Sequence, residues 1–136
     1  MSEPQLPTRA PRRNPETAAF WDACAEGRLT VPRCDECDEL IWYPRRFCPF
    51  CGSRSVTMVD VSGRGTVYTF TIMRRGDGPF RDKAPYVLAY VQLDEGPVMM
   101  TNIVGVDPEA VHVGQAVQVV WEPAGDGDAV PRFTPA

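Results

Sequence analysis

The sequence predicts a mainly β protein with one short N-terminal helix and a metal-stapled hairpin, and three observations carry that prediction. Four of the five cysteines fall in two Cys-x-x-Cys pairs, Cys34/Cys37 and Cys48/Cys51, inside eighteen residues. From Thr66 onward apolar and polar residues alternate in short runs separated by turn residues, the period of half-buried strands. Fourteen prolines and 11 glycines in 136 residues interrupt the chain too often for long helices.

Composition bounds the rest. With 43% hydrophobic and 24% charged residues the chain can bury a core, and its length suits one ordinary domain or two small ones. No apolar run approaches the roughly 18 residues of a membrane span. The stretch Met1 to Pro15 is polar, carries Arg9, Arg12 and Arg13, and lacks the apolar segment of a secretory signal, so a cytoplasmic location is expected. Charge is uneven: thirteen of fourteen basic residues precede Asp94, while residues 94–136 hold seven acids and only Arg132.

Residues 1–14 read as a flexible, proline-rich arm without periodicity. Residues 15–28 form the helical element. Asn14 supplies a cap, Pro15 the first helical position and Glu16 an acid in the first turn, and Gly27 stops the helix after about Glu26. Phe20 and Cys24, with Trp21 and Ala25, share its apolar side. Cys24 reads as a small buried hydrophobe, since no histidine or lysine stands near it in sequence to activate a thiolate.

Residues 29–60 form the hairpin that the cysteines staple. Leu29 to Arg33 leads into the first Cys-x-x-Cys turn, and Leu40 to Tyr43 is expected as a return strand. Two-residue spacers let both sulfurs of one turn reach a single ion, and two such turns complete a tetrahedral shell with Zn–S bonds of about 2.3 Å. Pro49 fixes φ in the second turn, and Gly52 suits the left-handed residue after it. Asp38 holds the same place in the first turn, which Asp tolerates better than most residues. In a reducing compartment such a pattern is a metal site rather than a pair of disulfides. The expectation is therefore one structural Zn2+ on Cys34, Cys37, Cys48 and Cys51, a rubredoxin-like zinc ribbon with no open coordination position. Arg33, Arg45 and Arg46 flank the ligands, where their charge can offset the thiolate shell or meet an anionic partner.

Residues 61–136 read as a barrel. Thr66 to Ile72 alternates, with Thr66, Tyr68, Phe70 and Ile72 on one face and Val67, Thr69 and Thr71 on the other. Tyr86 to Leu93 and Val98 to Val104 make a hairpin through Asp94-Glu95-Gly96-Pro97. Asp107-Pro108-Glu109-Ala110-Val111 is a single capped turn, and Gln115 to Glu122 and Val130 to Phe133 complete the set. Five strands with a short helix between the third and fourth is the layout of a five-stranded OB-fold barrel. The loop after its first strand carries Arg74, Arg75, Arg81 and Lys83 around Phe80, and long loops of this kind are functional or disordered. No catalytic set suggests itself. His112 is the only histidine, and the acidic pairs Asp35-Glu36 and Asp94-Glu95 sit in turns.

Taken in order, Phe20-Trp21, Gly27-Arg28-Leu29, the four cysteines with Tyr43-Pro44-Arg45 and Cys48-Pro49-Phe50-Cys51-Gly52-Ser53, Ser62-Gly-Arg-Gly-Thr-Val-Tyr68, Pro85-Tyr86, Leu93-Asp-Glu-Gly96, Thr101-Asn102 and Gly114 resemble the acyl-CoA-associated zinc-ribbon/OB-fold family, formerly a domain of unknown function. The resemblance covers roughly Pro15 to Glu122, and Asp38 in place of the usual knuckle glycine is its clear departure. It implies an accessory subunit of a thiolase-like lipid-transfer protein, most often an aldolase cleaving C–C bonds in steroid or related acyl-CoA side chains. It implies a shared acyl-CoA site, and it carries over the zinc ligands but no catalytic residue. Phe20, Trp21, Trp42, Arg45, Arg46, Arg74, Arg75, Phe80, Arg81 and Lys83 are the residues expected to touch partner or acyl-CoA. The alternative is a single-stranded nucleic-acid module, since both component folds serve there and aromatics can stack bases. A formal charge of -4 weighs against it, because a phosphate-tracking groove normally carries a basic field.

Overall fold

The computed structural model describes residues 5–136. A helix α1 (Ala18–Ala25) precedes a two-stranded antiparallel sheet of β1 (Thr30–Cys34) and β2 (Val56–Asp60). There follows a closed barrel of β3 (Arg64–Met73), β4 (Tyr86–Leu93), β5 (Val98–Ile103), β6 (Ala116–Pro123) and β7 (Ala129–Pro135), in the order β3-β4-β5-β7-β6. A 3-10 turn, Pro108–Ala110, lies between the third and fourth barrel strands, opened by Asp107, whose carboxylate accepts the Glu109 N–H at 3.0 Å. This is the five-stranded OB barrel that the alternation predicts, with one N-terminal helix and a ribbon ahead of it.

One core joins the three parts. α1 packs on β7 and β1, and Phe20, Cys24, Leu29 and Val31 are buried together with the barrel residues Val67, Val91, Val117 and Phe133. A smaller cluster of Cys34, Ile41 and Cys48 lies beneath the knuckles. The barrel strands cross closely at Gly65, where a Cβ would stand 2.3 Å from the Gln92 carbonyl oxygen, so any larger residue would force β3 and β4 apart.

Four local expectations change. The helix begins one turn later than its Asn-Pro signal, because the Asn14 carboxamide accepts the N–H groups of Glu16 and Thr17, at 2.9 and 3.0 Å, and so organises a preceding turn. Leu40 to Tyr43 forms no return strand. Leu40 makes a single bridge to Arg33, and the partner of β1 is β2, in register from Thr30/Asp60 to Cys34/Val56. In β3 the register slips between Val67 and Thr69, leaving Tyr68 as an extra residue opposite β4. This bulge exchanges the faces: Val67 points into the core before it and Phe70 after it, while Tyr68 is exposed, so the strict alternation read for this strand breaks there.

The fourth change concerns the segment 1–14 expected as a free arm, of which residues 1–4 lie outside the described residues. Residues 5–13 lie against the barrel. Leu6 is buried, the Gln5 carboxamide oxygen accepts the Gly105 N–H at 2.9 Å, and Arg132 donates to the carbonyls of Leu6 (3.1 Å) and Pro7 (2.9 Å). Arg13 then bridges Asp22 on α1 and Asp128 in the β6–β7 turn, at 2.9 and 2.6 Å. Among the described residues, no helix is long and apolar enough to cross a membrane.

Candidate functional site

The four knuckle cysteines converge. Their sulfurs all lie within 4.8 Å of one another, with Cys34 Sγ to Cys51 Sγ at 3.5 Å and Cys37 Sγ to Cys48 Sγ at 3.6 Å. A tetrahedron with bonds of about 2.3 Å has edges of about 3.8 Å, so this cage has the dimensions zinc requires. Both turns are built for it. Asp38 and Gly52 adopt φ of 61° and 78°, the left-handed conformation that closes each Cys-x-x-Cys turn. The Cys37 N–H points at Cys34 Sγ and the Phe50 N–H at Cys48 Sγ, each at 3.4 Å. The Cys37 amide is the largest influence bringing the Cys34 thiol down to about 7, while the Cys37 and Cys51 thiols are raised, so without metal the cage favours the thiolate at Cys34 and not at those two. Cys24 behaves oppositely: burial in the core pushes it up to about 12, consistent with a packing role.

The knuckles hold an aromatic cluster over the barrel. Trp42 and Tyr43 follow the buried Ile41 and meet α1 edge-on, with the Phe20 ring 5.2 Å from Trp42 and 4.9 Å from Trp21. Trp42 and Tyr43 are themselves perpendicular at 5.2 Å. Beneath them opens a cleft of about 420 Å³, walled by Trp21, Trp42 and Tyr43 on one side and by Met99, Met100 and Pro131 on the other. Phe20, expected as a contact residue, is fully buried and forms the back of this wall.

Arg132 anchors the floor. Its guanidinium is almost wholly buried and is paired with the equally buried Glu122 at 3.1 Å. It also donates to Asn102 Oδ1 at 3.3 Å, besides the two arm carbonyls. Glu122 in turn accepts the Gln5 N–H, so one ion pair links β6, β7, β5 and the arm. This floor and the arm's wall of Pro7 and Thr8 were not legible in the sequence, because the arm was read as free. The signal available was Arg132 itself, the lone base among seven acids in residues 94–136.

The other expected contact residues lie elsewhere. Arg45 Nε donates to the Tyr43 carbonyl at 3.4 Å, and the Arg46 N–H donates to Glu16 at 3.1 Å, tying the ribbon to the turn before α1. Arg74, Arg75 and Arg81 line an open cleft of about 720 Å³ in the β3–β4 loop. Phe80 rests on Tyr86 with centroids 5.1 Å apart, Arg74 pairs with Glu109 at 2.8 Å, and the Lys83 side chain is exposed. The arginine loop and the aromatic cleft share no lining residue. His112 is exposed, with Nδ1 3.4 Å from the Ala110 carbonyl, and stands in neither.

The chain matches two family domains placed end to end. One, described as the rubredoxin-like zinc ribbon domain of ChsH2, covers residues 21–57, and the other, the C-terminal OB-fold domain of ChsH2, covers residues 58–122. A DUF35 domain-containing scaffold protein of Pyrococcus furiosus is 40% identical over 77% of each chain. A benzoylsuccinyl-CoA thiolase subunit, BbsA, of Thauera aromatica is 30% identical over 77% of this chain and 76% of its own. A probable enoyl-CoA hydratase alpha subunit of Thermomonospora curvata is 34% identical over 93% of this chain, which spans only 39% of that relative's length. Among solved structures, a chain of the Ltp2-ChsH2(DUF35) aldolase superposes with a TM-score of 0.84 at 34% identity, over 92% of this chain and 98% of that one. A DUF35-family protein of unknown function from Sulfolobus solfataricus shares the fold, with a TM-score of 0.66 at 15% identity. The cysteine cage, the ribbon and the barrel follow one another as in these proteins, and the chain belongs to the DUF35 family in its ChsH2 form, a rubredoxin-like zinc ribbon joined to an OB-fold domain.

Proposed function

We propose that this protein is the accessory subunit of a thiolase-like acyl-CoA enzyme, an aldolase that cleaves a C–C bond in the side chain of a steroid or related acyl-CoA. The observation that carries the reading is the match to the aldolase chain, which runs through helix, ribbon and barrel at 34% identity with 98% of that chain covered. The benzoylsuccinyl-CoA thiolase subunit among the relatives supports a thiolase-like partner.

In this reading one zinc ion on Cys34, Cys37, Cys48 and Cys51 is structural, since four protein ligands fill its shell. It fixes the turn that carries Trp42 and Tyr43. The chain's own contribution is binding and positioning: the aromatic wall and the arginine loop present surface to the partner and to its acyl-CoA. Arg74, Arg75 and Arg81 offer an anion, such as the phosphate groups of coenzyme A, donor forks matched to phosphate oxygens, and Lys83 adds a point charge. Co-expression with thiolase-like lipid-transfer subunits, followed by a retro-aldol assay on steroid side-chain acyl-CoA thioesters, tests the reading. The expected result is a stable complex with activity that neither chain shows alone. Failure to form a complex, together with unchanged partner activity, refutes it. Within the complex, Arg81→Ala with Lys83→Ala should weaken partner or acyl-CoA binding while leaving the melting temperature nearly unchanged, because both side chains are exposed. An equal loss of thermal stability would make the loop structural.

A further inference from the structure

The barrel is closed weakly at one seam, and the seam opens into the aromatic cleft. β5 and β7 are parallel and share one register pair, Ile103 with Phe133, whereas β4 and β5 pair from Val87/Ile103 to Gln92/Val98. In the β4–β5 hairpin the Leu93 N–H bonds to the Pro97 carbonyl at 2.8 Å. Antiparallel bonding alternates, so Met99, Thr101 and Ile103 face β4 with their main-chain groups. Val98, Met100 and Asn102 therefore turn N–H and C=O the other way, toward β7.

Near Ile103 the seam is satisfied, with the Val104 N–H bonded to the Phe133 carbonyl at 2.8 Å. Beyond it β7 presents Pro131, which has no N–H and whose carbonyl already accepts the Thr101 hydroxyl at 3.3 Å. A proline at this register ends the ladder. The arm does not replace it: its bonds run to Glu122, Pro123, Gly105 and Arg132. Among the described residues, Val98 and Met100 thus have no register partner on β7, and no bond from the arm reaches their main chain.

This edge also lacks protection. Free strand edges in monomers carry lysine, proline or an inward charge that discourages pairing. β5 reads Val98-Met-Met-Thr-Asn-Ile103, with no charge in a chain that is 24% charged. Its Met100 side chain is 59% exposed and stands opposite the exposed Tyr90, while Tyr43 borders the same cleft.

We infer that the β5 edge from Val98 to Asn102 is a strand-addition site, which receives an extended apolar segment of the partner subunit. An acyl chain or a nucleotide could fill the cleft but could not answer alternating amide donors and acceptors, whereas an extended polypeptide does both. Main-chain bonds to Val98 and Met100 would set its register, and alternate side chains would enter beneath Trp42 and Tyr43. The inference rests on the accessory-subunit reading for the identity of the occupant.

Residue-resolved amide exchange of the zinc-loaded protein, alone and in complex with a thiolase-like lipid-transfer subunit, tests it. Alone, the Met100 N–H should exchange far faster than those of Met99 and Thr101, and in the complex it should slow by at least about tenfold. Met100→Pro removes that donor without removing a bond to β4 and should weaken the complex by about tenfold, while Met100→Leu stays within about threefold of the parent. A complex that forms while the Met100 N–H keeps its free rate overturns the strand-addition site and leaves the accessory role standing. Absence of any complex overturns both. Concentration-dependent protection of Met100 in the isolated chain would place a second copy on the edge and overturn the assignment to a partner.

Discussion

Arg132→Met tests whether one buried ion pair holds the arm, and with it one wall of the cleft. In the folded protein Arg132 and Glu122 expose only 8% and 5% of their side chains and meet at 3.1 Å. Methionine keeps much of the aliphatic volume but strands the Glu122 carboxylate and leaves the Leu6 and Pro7 carbonyls without their donor. Removing one partner of a buried pair costs about 3–5 kcal/mol, mostly from the charge left unpaired. For a domain of this size that corresponds to a melting temperature about 10–20 °C lower. Adding Glu122→Gln removes the stranded charge and should recover about half of the loss or more, a coupling expected only of direct partners. The arm gives a second readout, because neither variant restores its donors. Trypsin should cut after Arg9 faster in both the single and the double variant than in the parent. A cost below about 1 kcal/mol for Arg132→Met, or unchanged cleavage at Arg9, would refute the view that this pair fastens the arm.

Three further outcomes follow from other parts of the molecule. Cys37→Ser or Cys48→Ser should abolish stoichiometric zinc and loosen the ribbon, seen as loss of metal by elemental analysis and loss of dispersed amide signals from residues 30–60; full zinc content would contradict the ligand set. The Arg13 guanidinium holds the Asp128 carboxyl below its usual range, so its contribution is complete above the unfolded value near ~3.9 and is lost as pH falls through the folded value. Arg13→Ala should therefore lower the melting temperature at neutral pH, where the contact contributes in full, change it little at strongly acid pH, and so flatten the acid limb of the profile; an unaltered acid slope would show that the contact is idle. Cys24, pushed up to about 12 by burial, should resist alkylation at neutral pH in the folded zinc protein and react at once on unfolding; labelling of native protein at Cys24 would mean that α1 opens.

Much of the fold was legible because its determinants are local. Two Cys-x-x-Cys turns with a left-handed residue after each can be read from spacing and from Asp38 and Gly52, and the structure gives both residues positive φ. Strand β6 was legible by alternation, β4 and β5 by their apolar runs joined through the Asp94-Glu95-Gly96-Pro97 turn, and β7 as the short run at the end of the set. The failures are equally physical. Alternation cannot show where a strand bulges, so the extra residue Tyr68 and the exchange of faces at Val67 and Phe70 were invisible. Leu40 to Tyr43 has strand composition, but the cysteine cage already fixes its ends, and β1 finds a longer partner in β2. Proline content suggested an unstructured arm, yet carbonyls need no N–H of their own to accept from a buried arginine, and Leu6 and Pro7 are held in that way.

In the proposed role the working surface lies away from the metal. A closed shell of four thiolates leaves no position for a substrate, so its consequence must be mechanical. Ile41 is buried beneath the cage between Cys34 and Cys48, and the next two residues are Trp42 and Tyr43, which reach across to Phe20 on α1. On the opposite side of the cleft, Pro131 lies where β7 and β5 close the barrel through the single register pair Ile103/Phe133. With zinc in the cage, a braced aromatic wall would stand over the barrel seam that has a single register pair. Neither feature alone implies a binding site: aromatic clusters cap many small cores, and OB barrels are commonly incomplete. Their coincidence joins an apolar pocket to a strand edge with a single register pair, the two requirements of the strand addition inferred above. Loss of zinc should then weaken partner binding even with the β5 edge intact, because Trp42 and Tyr43 would lose their brace; a complex of equal strength with metal-free protein would separate the wall from the seam.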